Sequence, residues 1–568
     1  LNQRFERIKL EPILLVAIVV AVLIRWLYVG DRELWYDEVI SLLLATGQRL
    51  HYIVPPDRPV ALANYSTLLQ LPSLSTPIAT IQQIKPVLQG IIAQEPHPPL
   101  FFLAQYVWLW FTGTSEAALR SLNLLLSLIS LVGAYGMGRS QFGNRGGLLL
   151  AALLGLNPFY WFHSLNMRMY APTVLWVTLS GWAMLQLCQT TSSLAWKQRL
   201  AWSLGLTVSI AAGLLTYYLF ILWIIPLAGL AAHRAQWQRW WQYVLCLGGG
   251  ALLAAPWYFW GLPQQLNNAD LERFSTNRSM LDSLIQHTQS LLQVLGIQLV
   301  LGDWATSLPA IAIVAIGLFT AISLASIIGL LWRQVGLYRS NGSLMLGLLP
   351  LLLALANDIL SGKATLAWGT GRSVIFVLPG LLLLVVHGFM VMPRRWQHTA
   401  ILSLLILYLG INTGDMLGRH RQMLHQVATT VAPAKSTLLV INSKAWGHVL
   451  RLAYYLPATA SLDLLAAHPQ DLPSVLEHTL VDAALPYQQI LWMESHQPIW
   501  QPPKTATATE QIRQAVTNTL RQHYTAIQHN ELIGTRPDDR FTLTVYAPNK
   551  TESIPSLSRF KTLRQTAS

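Results

Sequence analysis

Eleven stretches of this chain are long and apolar enough to cross a bilayer, and that repetition constrains the fold more than any single motif. A spanning helix needs about 20 mostly apolar residues, with a range of roughly 17–25. The candidates are 12–30, 118–138, 146–164, 170–190, 200–215, 217–232, 242–261, 307–332, 343–360, 373–392 and 397–412. Hydrocarbon offers no water to backbone N–H and C=O groups, so such segments have to be helices. Composition agrees: 53% of the 568 residues are apolar and 11% are charged, against about 25% charged in an average soluble domain. The charge is uneven. Of the 63 charged residues, 38 fall in 1–412 and the other 25 in the much shorter 413–568. The expected architecture is a polytopic α-helical membrane domain of about 11 spans over 1–412, followed by a soluble domain over 413–568.

Charge also orients the spans. Pro99–Thr112 (PLFFLAQYVWLWFT) is apolar but short. If it does not cross, the basic loops Arg4/Arg7/Lys9, Arg139/Arg145, Lys197/Arg199, Arg234/Arg239, Arg333/Arg339 and Arg394/Arg395 share one side. The positive-inside rule makes that side cytoplasmic. If the segment crosses, every later loop flips and the rule fails. After Glu11, the acids of 1–412 then lie outside, from Asp31, Glu33, Asp37 and Glu38 through Asp57, Glu95 and Glu116 to Asp270, Glu272, Asp282, Asp303 and Asp358. The N-terminus is cytoplasmic and the C-terminal domain extracytoplasmic, as in a protein of a bacterial plasma membrane. Residues 200–232 turn near Thr216-Tyr217-Tyr218, because one 33-residue helix would be about 50 Å long. The N-terminal segment reads as a retained anchor, since no small-residue cleavage site follows it.

Two outer loops, 31–117 and 262–306, are longer than connection requires, and long ordered loops tend to carry function. The +13 net charge is not a nucleic-acid footprint, because no basic run or basic–aromatic patch exists. Cys188 and Cys246 both sit in apolar segments, which excludes a disulfide framework. In 413–568, strands are expected at Thr437–Ile441, Gln489–Met493 and Phe541–Tyr546. Helices are expected at Lys444–Tyr455 and Gln511–Gln528, giving a small α/β layer. No phosphate loop or nucleophile elbow occurs there.

The candidate chemistry lies in the outer loops. Leu34-Trp35-Tyr36-Asp37-Glu38-Val39 places two carboxylates beside aromatics just after the first span. Such a pair can supply a general base and a second acceptor or metal ligand, or simply be solvated loop acids. In Glu95-Pro96-His97-Pro98-Pro99, flanking prolines would hold His97 in one orientation; an incidental histidine at a helix start is the plainer reading. Arg168, in the short turn Asn166–Tyr170, can snorkel, pair with an acid or clamp a lipid phosphate through bidentate donors. Arg25, Lys363 and Arg372 are further cations at the same level and have the same uses. Asp358, at the end of the ninth span, needs a partner, with Lys363 or Arg372 as candidates.

Taken together, Leu34–Ser41 (LWYDEVIS), His97–Leu100 (HPPL), Thr114–Arg120 (TSEAALR), Gly138–Gly147 (GRSQFGNRGG), Asn157–Ala171 and Arg372–Pro379 (RSVIFVLP) occur in the order found in one family. The chain resembles the GT-C membrane glycosyltransferases, specifically family 39 with the protein O-mannosyltransferases and the aminoarabinose transferases of lipid A. The resemblance runs across 1–400, with the Asp-Glu of the first loop its most specific piece. It implies a polyprenyl-phosphate sugar donor bound from the outer side and transfer with inversion to a lipid, glycan or protein acceptor. Asp37 would then be the base and Glu38 its support, or with it a ligand of a divalent cation. Arg168 and Arg372 would bind the lipid phosphate, with Lys363 beside them and His97 near the site. Two departures stand out: Thr216-Tyr217-Tyr218 replaces a frequent Thr-His-Tyr, and an acid that some relatives carry at the start of the fourth span is missing.

Two other classes remain open on the sequence. A transporter or flippase should show midplane charges or broken helices, and a non-catalytic scaffold with a sensing C-terminal domain would need none of Asp37, Arg168 and Arg372.

Overall fold

The computed structural model describes residues 9–72, 82–188, 195–234, 240–268, 280–366, 368–418, 422–432, 435–456, 461–482, 487–534 and 539–549. Arg4, Arg7, Arg239, Asp270 and Glu272, read above as loop charges, lie outside them. The chain divides into two units, residues 1–51 with 70–420 and residues 52–69 with 421–568.

The first unit is helical. Among the described residues, eight helices are long and apolar enough to cross a membrane, and each of the eleven expected stretches falls on a helix. The two numbers differ for a physical reason. Glu116–Leu156 counts as one helix of 41 residues, but Gly143 inside it has φ 74° and ψ −172°. That conformation is essentially restricted to glycine, and the chain reverses there. Tyr135 Oη donates to Asn144 Oδ1 at 2.6 Å, and a Cβ on Gly138 would lie 2.6 Å from the Gly146 carbonyl oxygen. This helix therefore holds two of the expected spans. Tyr170–Leu187, with 18 residues, and Ile221–Arg234 account for the rest. Tyr217, with φ −152° and ψ 122°, separates Ile221–Arg234 from Trp196–Thr216.

Gly143→Ala meets no atom within 4 Å, so its cost is conformational alone. It is expected to destabilise the protein by about 1–3 kcal/mol, read as a lower unfolding midpoint in detergent.

Outward faces of the spans are apolar: Leu15, Val16, Val19, Leu23, Trp26 and Leu27 are all exposed on Leu10–Tyr28. Hydrocarbon tolerates such a surface and water does not, so the chain is an integral multi-pass membrane protein. Leu100–Thr112 forms 13 residues of helix, about 20 Å long and short of the roughly 30 Å core.

Two charges differ from expectation. Arg25 is fully buried and donates to Ser164 Oγ (3.1 Å) and to the carbonyls of Ala21 and Gly155. A cation there must spend its donors on nearby oxygens, so Arg25 braces helices and leaves the outer cation group. Asp358 pairs with neither Lys363 nor Arg372. Its carboxylate accepts from Thr365 Oγ1 and from the Leu366 N–H at 2.8 Å, which ties off the loop before Arg372.

The second unit is a six-stranded mixed sheet. Its strands are β1 Val60–Ala61, β2 Thr437–Ile441, β3 Leu462–Ala466, β4 Gln489–Ser495, β5 Tyr524–Ile533 and β6 Arg540–Pro548, in spatial order β1-β3-β2-β4-β6-β5. β2 pairs in parallel with β3 and β4, and the outer pairings are antiparallel. Leu438, Val440, Ile490 and Trp492 pack one face against Leu472, Leu476, Val516 and Leu520. The helix expected over Gln511–Gln528 instead covers Ala506–His523 and yields to β5 at Tyr524. β1 comes from the first outer loop, where Lys444 Nζ meets Asp57 Oδ1 at 2.8 Å and the Tyr52 and Trp446 rings meet at a tilt, 6.1 Å between centroids.

Candidate active site

Trp35 has extended backbone, with φ −86° and ψ 173°, and the helix Tyr36–Ala45 starts directly after it. Glu38, at the third helical position, reaches back to the Trp35 N–H at 3.1 Å, one half of a capping box. The same carboxylate receives Arg120 Nε at 2.8 Å, Arg120 Nη2 at 2.7 Å and the Met167 N–H at 2.8 Å. Arg120 also donates to the carbonyls of Arg32 (2.5 Å) and Glu33 (3.0 Å). Both side chains are 1–2% exposed. With four donors on two oxygens, Glu38 has its acceptor capacity filled. It fixes where the helix begins and joins three segments.

Asp37 is one residue earlier, rotated about 100° around the helix, and faces a different neighbour. Its Oδ2 is 2.9 Å from Arg372 Nη2. The Arg372 guanidinium also lies over the Trp35 ring, 4.7 Å from its centroid. Arg372 follows Gly369, Thr370 and Gly371, with φ of 55°, 60° and 79°. A Cβ on Gly369 would sit 2.8 Å from Arg372 Cζ, so only glycine lets the loop pass this closely.

Arg168 occupies the turn after Ser164 and approaches the same helix. It donates to Ser41 Oγ at 3.0 Å and to Glu95 Oε1 at 3.3 Å. His97 Nδ1 also contacts Glu95, and its ring stacks on Tyr217, 5.6 Å between centroids. Tyr217 Oη donates to the Ser373 carbonyl at 2.6 Å. Gln265 secures the backbone here by donating to the His97 carbonyl at 3.0 Å.

Asp37, Glu38, His97, Arg168 and Arg372 are thus brought into one constellation. Lys363 is not. Its described hydrogen bond is backbone only, to the Asp358 carbonyl at 3.0 Å. Glu95 and Arg120 belong to the site as well, although nothing in the sequence around them marks a role. Trp35 and Ser41 likewise complete the site from within Leu34–Ser41.

Burial would raise the Glu95 carboxyl, but Arg168 and His97 outweigh it and hold the group below its ordinary 4.5. Burial lowers His97 below 6.5 against the pull of Glu95. Arg168 loses to burial and gains more from Glu95 and Asp37, so it stays charged. Both depressed groups work in the same direction. A lowered folded value means stability is complete above the unfolded value and declines as pH falls through the window below it. Acid should therefore cut stability in two stages, below about 6.5 from His97 and below about 4.5 from Glu95. His97→Asn is expected to erase the first stage in unfolding midpoints followed against pH and to shrink the second, which Arg168 then sustains alone.

These donors suit an anion. They do not suit a divalent cation: hard cations need several free oxygens, Glu38 is saturated, and Asp37 is engaged by Arg372. Among the described residues no cluster of three or more metal-ligating side chains exists.

Residues 96–260 match a family model described as dolichyl-phosphate-mannose-protein mannosyltransferase. This bears out the resemblance read from the sequence and carries the expectation of a membrane glycosyltransferase. No curated protein sequence matches the chain. The chain is similar to several solved structures. ArnT from Cupriavidus metallidurans bound to undecaprenyl phosphate aligns at 14% identity and a TM-score of 0.39, over 94% of this chain and 97% of that one. The Archaeoglobus fulgidus oligosaccharyltransferase with Zn and sulfate aligns at 12% and 0.41, over 84% and 67%. The arabinofuranosyltransferase AftD from Mycobacteria aligns at 13% and 0.39, over 94% and 41%.

Proposed function

We propose that this protein moves a sugar from a polyprenyl-phosphate donor to a hydroxyl or amine acceptor, with inversion at the anomeric carbon and Asp37 as general base. The observation that carries the reading is a carboxylate with 22% of its side chain exposed, Asp37, set between two guanidinium groups, Arg372 at 2.9 Å and Arg168 on the same helix face through Ser41. A base beside anion-binding donors is what displacement of a phosphate leaving group requires. The acceptor proton passes to Asp37 as the acceptor oxygen or nitrogen bonds to the anomeric carbon. The bond from that carbon to the phosphate oxygen breaks, and the polyprenyl phosphate leaves with the electron pair. Arg372 and Arg168 stabilise the charge growing on that oxygen. Glu38 and Arg120 position the helix, and His97 keeps Glu95 and Arg168 in place.

The reaction is read on the extracytoplasmic side of a bacterial plasma membrane. The basic loops support that orientation, as does the absence of nucleotide sugars outside the cytoplasm. The test is turnover of a panel of labelled polyprenyl-phosphate sugars by the purified protein, with the product anomer read by NMR. An inverted glycoside is the expected result. A retained anomer would overturn the single-displacement step, and transport of the intact lipid-linked sugar without transfer would overturn the enzyme reading.

A further inference from the structure

We propose that a groove between the helices Trp196–Thr216 and Trp240–Asn268 binds an anionic diacyl phospholipid at the membrane face opposite the candidate active site, with Arg199 clamping the phosphate. This inference rests on the membrane fold alone and stands whether or not the protein transfers a sugar.

Both helices are long and apolar enough to cross the bilayer, and they press together at Gly250. A Cβ there would come within 2.7 Å of the Ile210 side chain and 2.8 Å of the Thr207 carbonyl oxygen. Nearer their first turns a cavity of about 420 Å³ opens, lined by Trp196, Arg199, Leu200, Ser203 and Gln242. Gln242 Nε2 donates to Ser203 Oγ at 2.7 Å and ties the two helices together there.

Charge selects an anion. No aspartate or glutamate occurs between Glu116 and Asp270, so neither groove helix offers Arg199 a carboxylate. The helix Tyr170–Leu187, packed against the first of them, offers none either. Among the described residues no ion pair includes Arg199. A guanidinium binds phosphate in bidentate fashion, and basic pockets between spans on the cytoplasmic side take phospholipid head groups.

Depth and shape select a lipid over a soluble anion. Arg199 precedes Thr216 by 17 residues, roughly 25 Å of helix, and Thr216 leads into Tyr217 at the candidate site. Arg199 therefore lies at the other polar boundary of the bilayer, on the face that the basic loops assign to the cytoplasm. Trp196 and Trp241 are exposed at the same level, as interfacial tryptophans are. From Arg199 inward, Leu200, Leu204 and Val208 form an exposed stripe at every fourth residue, with Leu245 and Leu252 exposed on the second helix. Gly205 and Gly248 leave open space where a Cβ would stand. A free phosphate would use only the head of this groove, whereas a phosphate carrying two acyl chains uses its whole length. At their other ends the two helices lead to Tyr217 and Gln265, both of which hold His97, so a lipid here braces the pair from the far face.

The test is retention of phosphatidylglycerol by the full chain purified in dodecyl maltoside, read by native mass spectrometry and by the unfolding midpoint as lipid is added. One bound lipid, a raised midpoint and weaker retention of phosphatidylcholine with the same chains are expected. Arg199→Gln is expected to weaken retention about tenfold, the scale of a charge-assisted bond to phosphate, and Arg199→Lys to recover part of it. Leu200→Trp fills the cavity without altering the charge and is expected to weaken retention as well. Arg333→Gln removes a cation from the same membrane face outside the groove and is expected to leave retention unchanged. Equal losses in Arg333→Gln and Arg199→Gln would overturn the site in favour of diffuse attraction to a basic face. Equal retention of phosphatidylcholine would overturn the anionic class. Preferential capture of inorganic phosphate or undecaprenyl phosphate at Arg199 would overturn the diacyl occupant.

Discussion

Asp37→Asn is expected to lower sugar transfer by about 10²–10⁴-fold, the range lost when a general base is removed, with little change in folding. The reason for the second half lies in the surroundings. Asp37 has 22% of its side chain exposed, so an amide in its place is partly hydrated, and Arg372, which loses its counter-charge, keeps the Trp35 face beside it. The helix start does not depend on it, because Glu38 caps Trp35 and is itself held by Arg120 and Met167. Transfer from a labelled polyprenyl-phosphate sugar, run beside an unfolding curve, separates the two quantities. A variant that melts like the wild type and transfers at its rate would exclude Asp37 as the base. Asp37→Glu is a sharper control. It keeps the carboxylate but adds one methylene, enough to misplace the base, so an intermediate rate is expected.

The Asp-Glu motif was legible from residue order alone, but the division of labour inside it was not. Two adjacent acids on a helix point about 100° apart, and which one is buried depends on partners far along the chain. Glu38 is settled by Arg120, 82 residues later, and by the Met167 backbone. Local pattern carries no record of either. Arg168 and Arg372 could be placed on the outer side by counting spans, yet nothing in that count says that Arg168 meets Glu95 or that Arg372 meets Asp37. Arg25 shows the opposite failure. Its position in an apolar run suggested an outer cation, and the structure spends it on Ser164 and two carbonyls.

The fold shows the same boundary between local and distant information. Eleven apolar stretches were readable because hydrocarbon demands length and hydropathy, and both are properties of the segment itself. The break between 118–138 and 146–164 was readable from the loop charges Arg139 and Arg145, but that Gly143 makes it through a φ of 74° is invisible in the letters. β1 is two residues, Val60–Ala61, with no period to detect, and it exists because β3 offers an edge. The first half of β5, Tyr524–Gln528, falls within the helix expected over Gln511–Gln528, because it directly continues the amphipathic run of Ala506–His523. Its exposed, edge-strand burial explains the confusion.

Breaking the Glu38–Arg120 pair should produce the largest loss of stability of any single substitution at the site. Glu38→Leu leaves a guanidinium 2% exposed without its counter-charge, and Arg120→Met leaves the carboxylate in the same position. Each is expected to cost about 3–5 kcal/mol, as removal of one partner of a buried pair does. The double variant Glu38→Leu/Arg120→Met buries no unpaired charge and should be less destabilised than the sum of the singles, with a coupling of about 2–3 kcal/mol. Recovery cannot be complete, because the carbonyls of Arg32 and Glu33 and the N–H groups of Trp35 and Met167 lose the partners that the pair supplied. Unfolding midpoints in one detergent give the comparison. Additive losses would mean that the two side chains act separately and that the pair is not the bolt of the first outer loop. Transfer activity should stay low in the double variant even where stability returns. On the proposed function the pair aims Asp37 at the acceptor, and an apolar substitute fills the space without setting the angle.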